Sequence, residues 1–160
     1  MVKCRCSSRP GVCGAGRNSS AQAAPASYVE FTFQAEAGRP YRLWIRGKAE
    51  RNNWANDSAF VQFSGTVDGG GAPTFRIGTT DAAIYQVEEG VNAGLSNWGW
   101  QDHSYGELAD PIYFATTGTQ TIRLQPREDG ISIDQIVISA GTYFDVRPGL
   151  TKNDATIVAK

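Results

Sequence analysis

The stretch Tyr28-Val29-Glu30-Phe31-Thr32-Phe33-Gln34 sets Val29, Phe31 and Phe33 in alternation with Tyr28, Glu30, Thr32 and Gln34. A repeat of two residues sends successive side chains to opposite faces, which is the pattern of a strand with one face buried. Working outward, Ala37-Gly38-Arg39-Pro40 makes a turn, and Tyr41, Leu43 and Ile45 then alternate against Arg42, Trp44 and Arg46. Further strands are expected at 59–63, 74–77, 83–87, 111–115, 119–125 and 131–139. Turn residues separate them at Asp68-Gly69-Gly70-Gly71, Thr117-Gly118 and Glu128-Asp129-Gly130. No window of a dozen residues repeats with helical spacing, and no internal repeat is visible. Short strands spaced by turns and rich in β-branched and aromatic residues predict an all-β chain folded as an antiparallel β-sandwich.

At 160 residues one domain is expected, and the net charge of −1 gives no general pull toward nucleic acid or an anionic membrane. No apolar run approaches the length of a membrane span. Residues 1–27 form a basic tail with Lys3, Arg5, Arg9 and Arg17 and no acid; their Gly, Ser and Ala content predicts disorder. No signal-peptide core follows Met1, so the chain reads as a piece of a larger protein or as one with a misassigned start. Cys4, Cys6 and Cys13 lack the fourth thiol or nearby histidine that a zinc site needs. From residue 28 on there is no cysteine, so the domain does not depend on disulfides. The sandwich is expected over 28–142, with 143–160 as an edge strand or a linker.

Trp54, Trp98 and Trp100, three of four tryptophans, sit in segments rich in Asn, Gly, Asp and Ser, the residues of turns and loops. An indole on a loop forgoes a large apolar burial, so something usually covers it. The flat face of a sugar is one such cover, with its hydroxyls met by Asn56, Asp57, Gln101, Asp102, His103 and Tyr105. The plainer alternative is that these rings cap the end of the core.

Asp134 stands in the otherwise apolar run 131–139. A carboxylate there needs a cation, an arginine or several donors, unless it faces outward at the strand end. Calcium is one such cation, taking carboxylate and carbonyl oxygens.

Enzyme readings are weaker. His103 is the only histidine, which excludes multi-histidine metal sites and makes it an obligatory member of any Ser-His-Asp or Cys-His constellation. Gly69-Gly70-Gly71 is followed by neither Lys-Ser/Thr nor a helix, so it is no phosphate cradle. The tryptophan loops carry acids rather than lysines, which argues against single-stranded nucleic acid.

The order of motifs resembles the galactose-binding-like jelly roll of carbohydrate-binding modules of families six and thirty-five and their malectin-like relatives. It runs from Tyr41–Arg46 through Asn56–Gln62, Trp98–Trp100 and Gly118–Ile122 to Arg127–Gly130 leading into Ile133–Ile138, and the similarity covers residues 28–140. The resemblance implies a lectin-like module attached to a secreted polysaccharide-active enzyme or surface protein. It implies Trp98 or Trp100 as the stacking platform, Trp54, Asn56 and Asp57 in a neighbouring loop, and Asp134 as a ligand of a structural Ca2+. Such modules begin with an acidic strand; with no acid in residues 1–27, Asp145 and Asp154 are the substitutes to consider. The expected function is non-catalytic binding of a polysaccharide or oligosaccharide, outside the cell, with no nucleic-acid or membrane partner. The alternative is a structural or adhesive β-sandwich whose aromatic loops form a protein interface.

Overall fold

The computed structural model describes residues 2–3, 17–87, 96–103 and 108–159. They form an antiparallel β-sandwich. Its strands are β1 (Val2–Lys3), β2 (Val29–Ala35), β3 (Arg42–Ala49), β4 (Ser58–Phe63), β5 (Thr66–Val67), β6 (Ala83–Gln86), β7 (Gly99–Gln101), β8 (Tyr113–Phe114), β9 (Gly118–Pro126) and β10 (Ile131–Ser139). One sheet runs β1-β10-β3-β7, the other β2-β9-β4-β6, and β5 and β8 make a small ribbon. The alternation read from the sequence sets the faces. Leu43 and Ile45 of β3, with Ile131 and Ile133 of β10, meet Val61 and Phe63 of β4 and Ile122 and Leu124 of β9 in the buried core. Phe114 packs edge-on against Phe33, Tyr41 and Phe63, with centroids 5.5, 5.7 and 5.9 Å away. Burying each such side chain stabilises the fold by about 1.5–3 kcal/mol.

Two expected strands shrink. Thr74–Ile77 makes only a bridge from Arg76 to Phe63, because Phe75 has φ 49 and the left-handed turn ends the extended run. The run expected over 111–115 reduces to β8 and a bridge from Ile112 to Tyr41. Gly99-Trp100-Gln101, expected as loop, is β7, which pairs with β3 from Gly47 to Ile45.

The two ends of the chain also depart from expectation. Residues 17–27 are held against the sandwich rather than loose: the Asn18 amide donates to the Arg127 carbonyl at 2.9 Å, Gln22 and Gln125 exchange two bonds, and Ala21 is buried. The cysteines at 4, 6 and 13 lie outside the described residues.

Residues 140–159 are neither edge strand nor linker. They form a strap without strands of its own across the outer face of the β3–β7 sheet. Trp44 donates its indole N–H to the Tyr143 carbonyl at 2.7 Å, and the Trp100 amide donates to the Leu150 carbonyl at 2.9 Å. Both rings are 0% exposed beneath it. Strap and strand touch closely because two glycines stand at the contact: a Cβ on Gly99 would strike the Thr151 carbonyl, and one on Gly149 would strike Asp154 and the Trp100 ring.

Gly99→Ala is therefore expected to push the strap away and lower stability by roughly 1–3 kcal/mol. Urea denaturation followed by tryptophan emission measures this; an unchanged midpoint would show that the contact carries no weight.

Candidate functional site

Where β3 ends and β10 begins, the loops 50–57, 96–98 and 127–130 come together. The Asn97 amide donates to the Asn52 side-chain oxygen at 2.9 Å, and the Glu50 amide donates to the Gly130 carbonyl at 3.0 Å. The first loop is two turns of 3-10 helix, Glu50–Asn52 and Trp54–Asn56; the Asn53 side chain caps the second by accepting from the Ala55 amide at 3.0 Å. Arg51, Asn52, Asn97 and Asn153 all adopt left-handed backbone, with φ of 57, 52, 54 and 51. Asn97 links three of them, since its side-chain amide also donates to the Asn153 side chain at 3.1 Å. Such conformations concentrate where a loop is held for binding, and Asn tolerates them best.

A buried polar cluster supports this end. The Glu128 carboxylate accepts from the Asp57 amide at 3.3 Å and from the Ser58 hydroxyl at 2.6 Å. Arg127 donates to the Ser58 hydroxyl at 2.5 Å and to Glu128 at 3.3 Å. On this floor Trp54 stands 67% exposed. On the same three loops Glu50, Asn52, Asn53, Asn97 and Asp129 are exposed, and Asn56 is half-buried. Trp98 is half-buried, with the Arg46 guanidinium 5.1 Å and the Lys48 ammonium 5.0 Å from its ring centre.

Of the nine residues expected to bind a sugar, Trp54, Asn56 and Trp98 share this end. Trp100 does not serve as a platform, because alternation in β7 turns it under the strap. Asp57, Gln101 and Asp102 are buried at 3, 2 and 4% exposure, so they are structural polar groups rather than sugar contacts. Asp102 pairs with Arg42 at 3.4 Å and accepts from the Ala109 amide at 2.9 Å. Tyr105 lies outside the described residues. Sequence reasoning passed over Lys48, Asn52 and Asn97. The Asn52-Asn53 pair was the available signal, since Asn is the usual non-glycine occupant of left-handed turns.

His103 stands at the opposite end. Arg42, the partner of neighbouring Asp102, begins β3, and Ala49 ends it seven residues on, about 23 Å away at ~3.3 Å per residue. The nine residues therefore cannot form one site. His103 packs between Tyr85 and Phe75 at 5.5 and 6.2 Å, beside a cavity of about 410 Å³ that Asp110 and Tyr113 also line. Burial lowers its pKa, outweighing the opposing pull of Asp102, so the imidazole is neutral at pH 7. Burial likewise raises the Tyr85 phenol well above its ordinary value.

Asp134 lies on β10. It is the extra residue of a β-bulge, between Ile133 opposite Gly47 and Gln135 opposite Arg46. Its carboxylate is paired with Arg46, which also donates to the Asp154 carbonyl at 2.7 Å and lies 3.6 Å from the Asp154 carboxylate. Two acids thus surround one guanidinium, which supplies a positive charge beside Asp134. Among the described residues no group of three or more His, Cys, Asp or Glu is placed to hold a metal ion. Asp145 is exposed, whereas Asp154 is buried as the hub of the strap. No helix among the described residues is long and apolar enough to cross a membrane.

No family model, curated protein or solved structure matches the chain.

Burial works against the Asp154 carboxylate, but the Leu150 and Thr156 amides, the Thr156 hydroxyl and Arg46 together hold its pKa below the ordinary carboxylate value. A carboxyl whose folded pKa is depressed contributes stability above its unfolded pKa and loses it as pH falls. The strap should therefore loosen as pH drops below about 4, and Asp154→Asn should lower stability at neutral pH while flattening that acid dependence. Unfolding midpoints across the acid range check this; parallel profiles for both proteins would contradict it.

Proposed function

We propose that this chain is a non-catalytic carbohydrate-binding module that holds a polysaccharide or oligosaccharide against Trp54. The observation that carries this reading is an indole 67% exposed on a capped, hydrogen-bonded loop that also exposes side-chain amides. A sugar ring offers an apolar face for the indole and a rim of hydroxyls for Asn52, Asn53, Asn56 and the acids Glu50 and Asp129. A rigid platform loses little conformational freedom on binding, so a small contact suffices for a weak, reversible grip. Trp98 and Lys48 extend the surface along the same end. The motif order shared with carbohydrate-binding modules points the same way, and such a module would act as an attached part of a larger secreted protein.

Trp54→Ala is expected to weaken binding about tenfold or more, with the melting temperature little changed because the ring is so exposed. Trp100→Ala should instead lower the melting temperature. Affinity electrophoresis in gels containing plant or microbial polysaccharides, beside thermal melts, separates the two effects. Because Arg46 neutralises Asp134, binding should be unchanged by a chelator of divalent ions. Retention that Trp54→Ala leaves untouched would end this proposal. A sugar-insensitive oligomer that dissociates on the same substitution would assign this end to a protein interface.

A further inference from the structure

The end of the sandwich opposite Trp54 has a hollow of its own. Three separate stretches wall it: Val67 to Gly69 with Thr74 and Phe75, His103 just past β7, and Asp110 to Tyr113 leading into β8. Its volume of about 410 Å³ lies within the range of about 300–1,000 Å³ usual for small-molecule sites.

One wall is held against its own preference. Phe75 takes a left-handed backbone, φ 49, that a bulky side chain rarely adopts. The Phe63 amide of β4 donates to the Phe75 carbonyl at 2.7 Å, and the Phe75 amide donates to the Asp81 carboxylate at 2.5 Å, so the residue is pinned from both sides. Strained backbone gathers at ligand clamps, and here it fixes an aromatic ring in the wall. That ring packs edge-on to His103, which also meets Tyr85.

Charge selects the occupant. The lining carries two carboxylates, Asp68 and Asp110, and neither lysine nor arginine. No ion pair among the described residues involves either acid. Asp68 is oriented by the Gly70 and Ala72 amides, which donate to one of its oxygens at 2.8 and 2.9 Å. The imidazole is uncharged at pH 7 and adds no opposing charge. The stretch that joins His103 to the far wall, Ser104-Tyr105-Gly106-Glu107, brings a further acid and no base. Aromatic surface beside carboxylates that lack a counter-ion is the chemistry that holds an organic cation.

We infer that this hollow is a second binding site, for a small organic ammonium ion whose apolar body packs on Phe75 and Tyr113 and whose charge faces Asp68 and Asp110. It stands independently of the sugar reading of the Trp54 end.

The test follows the isotope-labelled whole chain by nuclear magnetic resonance during titration with choline chloride. Two controls run beside it: sodium chloride at equal ionic strength, and the alcohol in which a tert-butyl group replaces the trimethylammonium of choline. Saturable shifts at residues 67–69, 74–75, 103 and 110–113 are expected with choline, with the neutral alcohol bound about fivefold more weakly and no saturation by sodium. Asp68→Asn combined with Asp110→Asn keeps the side-chain shapes and should weaken choline by a similar factor. Both acids are exposed, so the thermal melt should not move; if it does, the neutral alcohol on the unaltered chain still decides. Trp54→Ala should leave the choline titration unchanged. Absent saturation, equal binding of the neutral alcohol, or loss of the shifts in Trp54→Ala overturns the proposal. So do contacts of residues 104–107 with the Phe75 and Tyr113 rings in the free chain that choline fails to displace.

Discussion

A single buried guanidinium ties this molecule together. Arg46 extends from the outer face of β3, meets Asp134 at the bulge of β10, reaches the carbonyl and carboxylate of Asp154 in the strap, and lies over the ring of Trp98 beside β7. Two strands, the strap and one edge of the candidate site thus share one positive charge. A charge at this depth is tolerated because opposing charges and hydrogen bonds replace lost hydration. Removing one member of such a set commonly costs about 3–5 kcal/mol, since its partners are left buried and uncompensated. The strap has no ladder of its own, so these contacts, the two indole N–H bonds and main-chain bonds such as that from the Trp100 amide to the Leu150 carbonyl hold it over Trp44 and Trp100.

The same economy of polar contacts shapes the end bearing Trp54. Glu128, Arg127 and Ser58 satisfy one another below the surface, freeing the loop above to present its ring and amides outward. At the far end, Asp102 and Arg42 perform a comparable structural duty, and the neighbouring imidazole sits uncharged among aromatic rings. The ends differ in what they expose: a bare indole among hydrogen-bonding groups at one, a small aromatic-lined hollow at the other.

The long strands were legible because burial and alternation coincide. Val29 to Phe33 and Tyr41 to Ile45 show the period of two, and each lies in a strand facing the core. Arg42, Trp44 and Arg46 read as a solvent face, yet all are buried. The strap that covers them has no periodicity, so nothing in residues 140–159 announces where they go. Trp100 was misread for a related cause: Asn, Gly and Asp around it suggest a loop, while Gly99 is there to let the strap approach. Trp54 was legible because its loop chemistry and its exposure agree. Asp134 was read as needing a cation, an arginine or several donors unless it faced outward, but no local pattern could reveal that its partner is Arg46, 88 positions earlier.

The strand order has a consequence for synthesis on the ribosome. Among the described residues β2 has β9 alone as ladder partner, and β3 joins β10 as well as the short β7. The opening third of the chain must therefore wait, with its apolar faces unsatisfied, until residues 118–139 have left the exit tunnel. Pairings this distant in sequence close slowly because the intervening loop must be ordered first. A premature stop before β9 therefore yields a product that lacks one of the four strands of each sheet, β9 from one and β10 from the other.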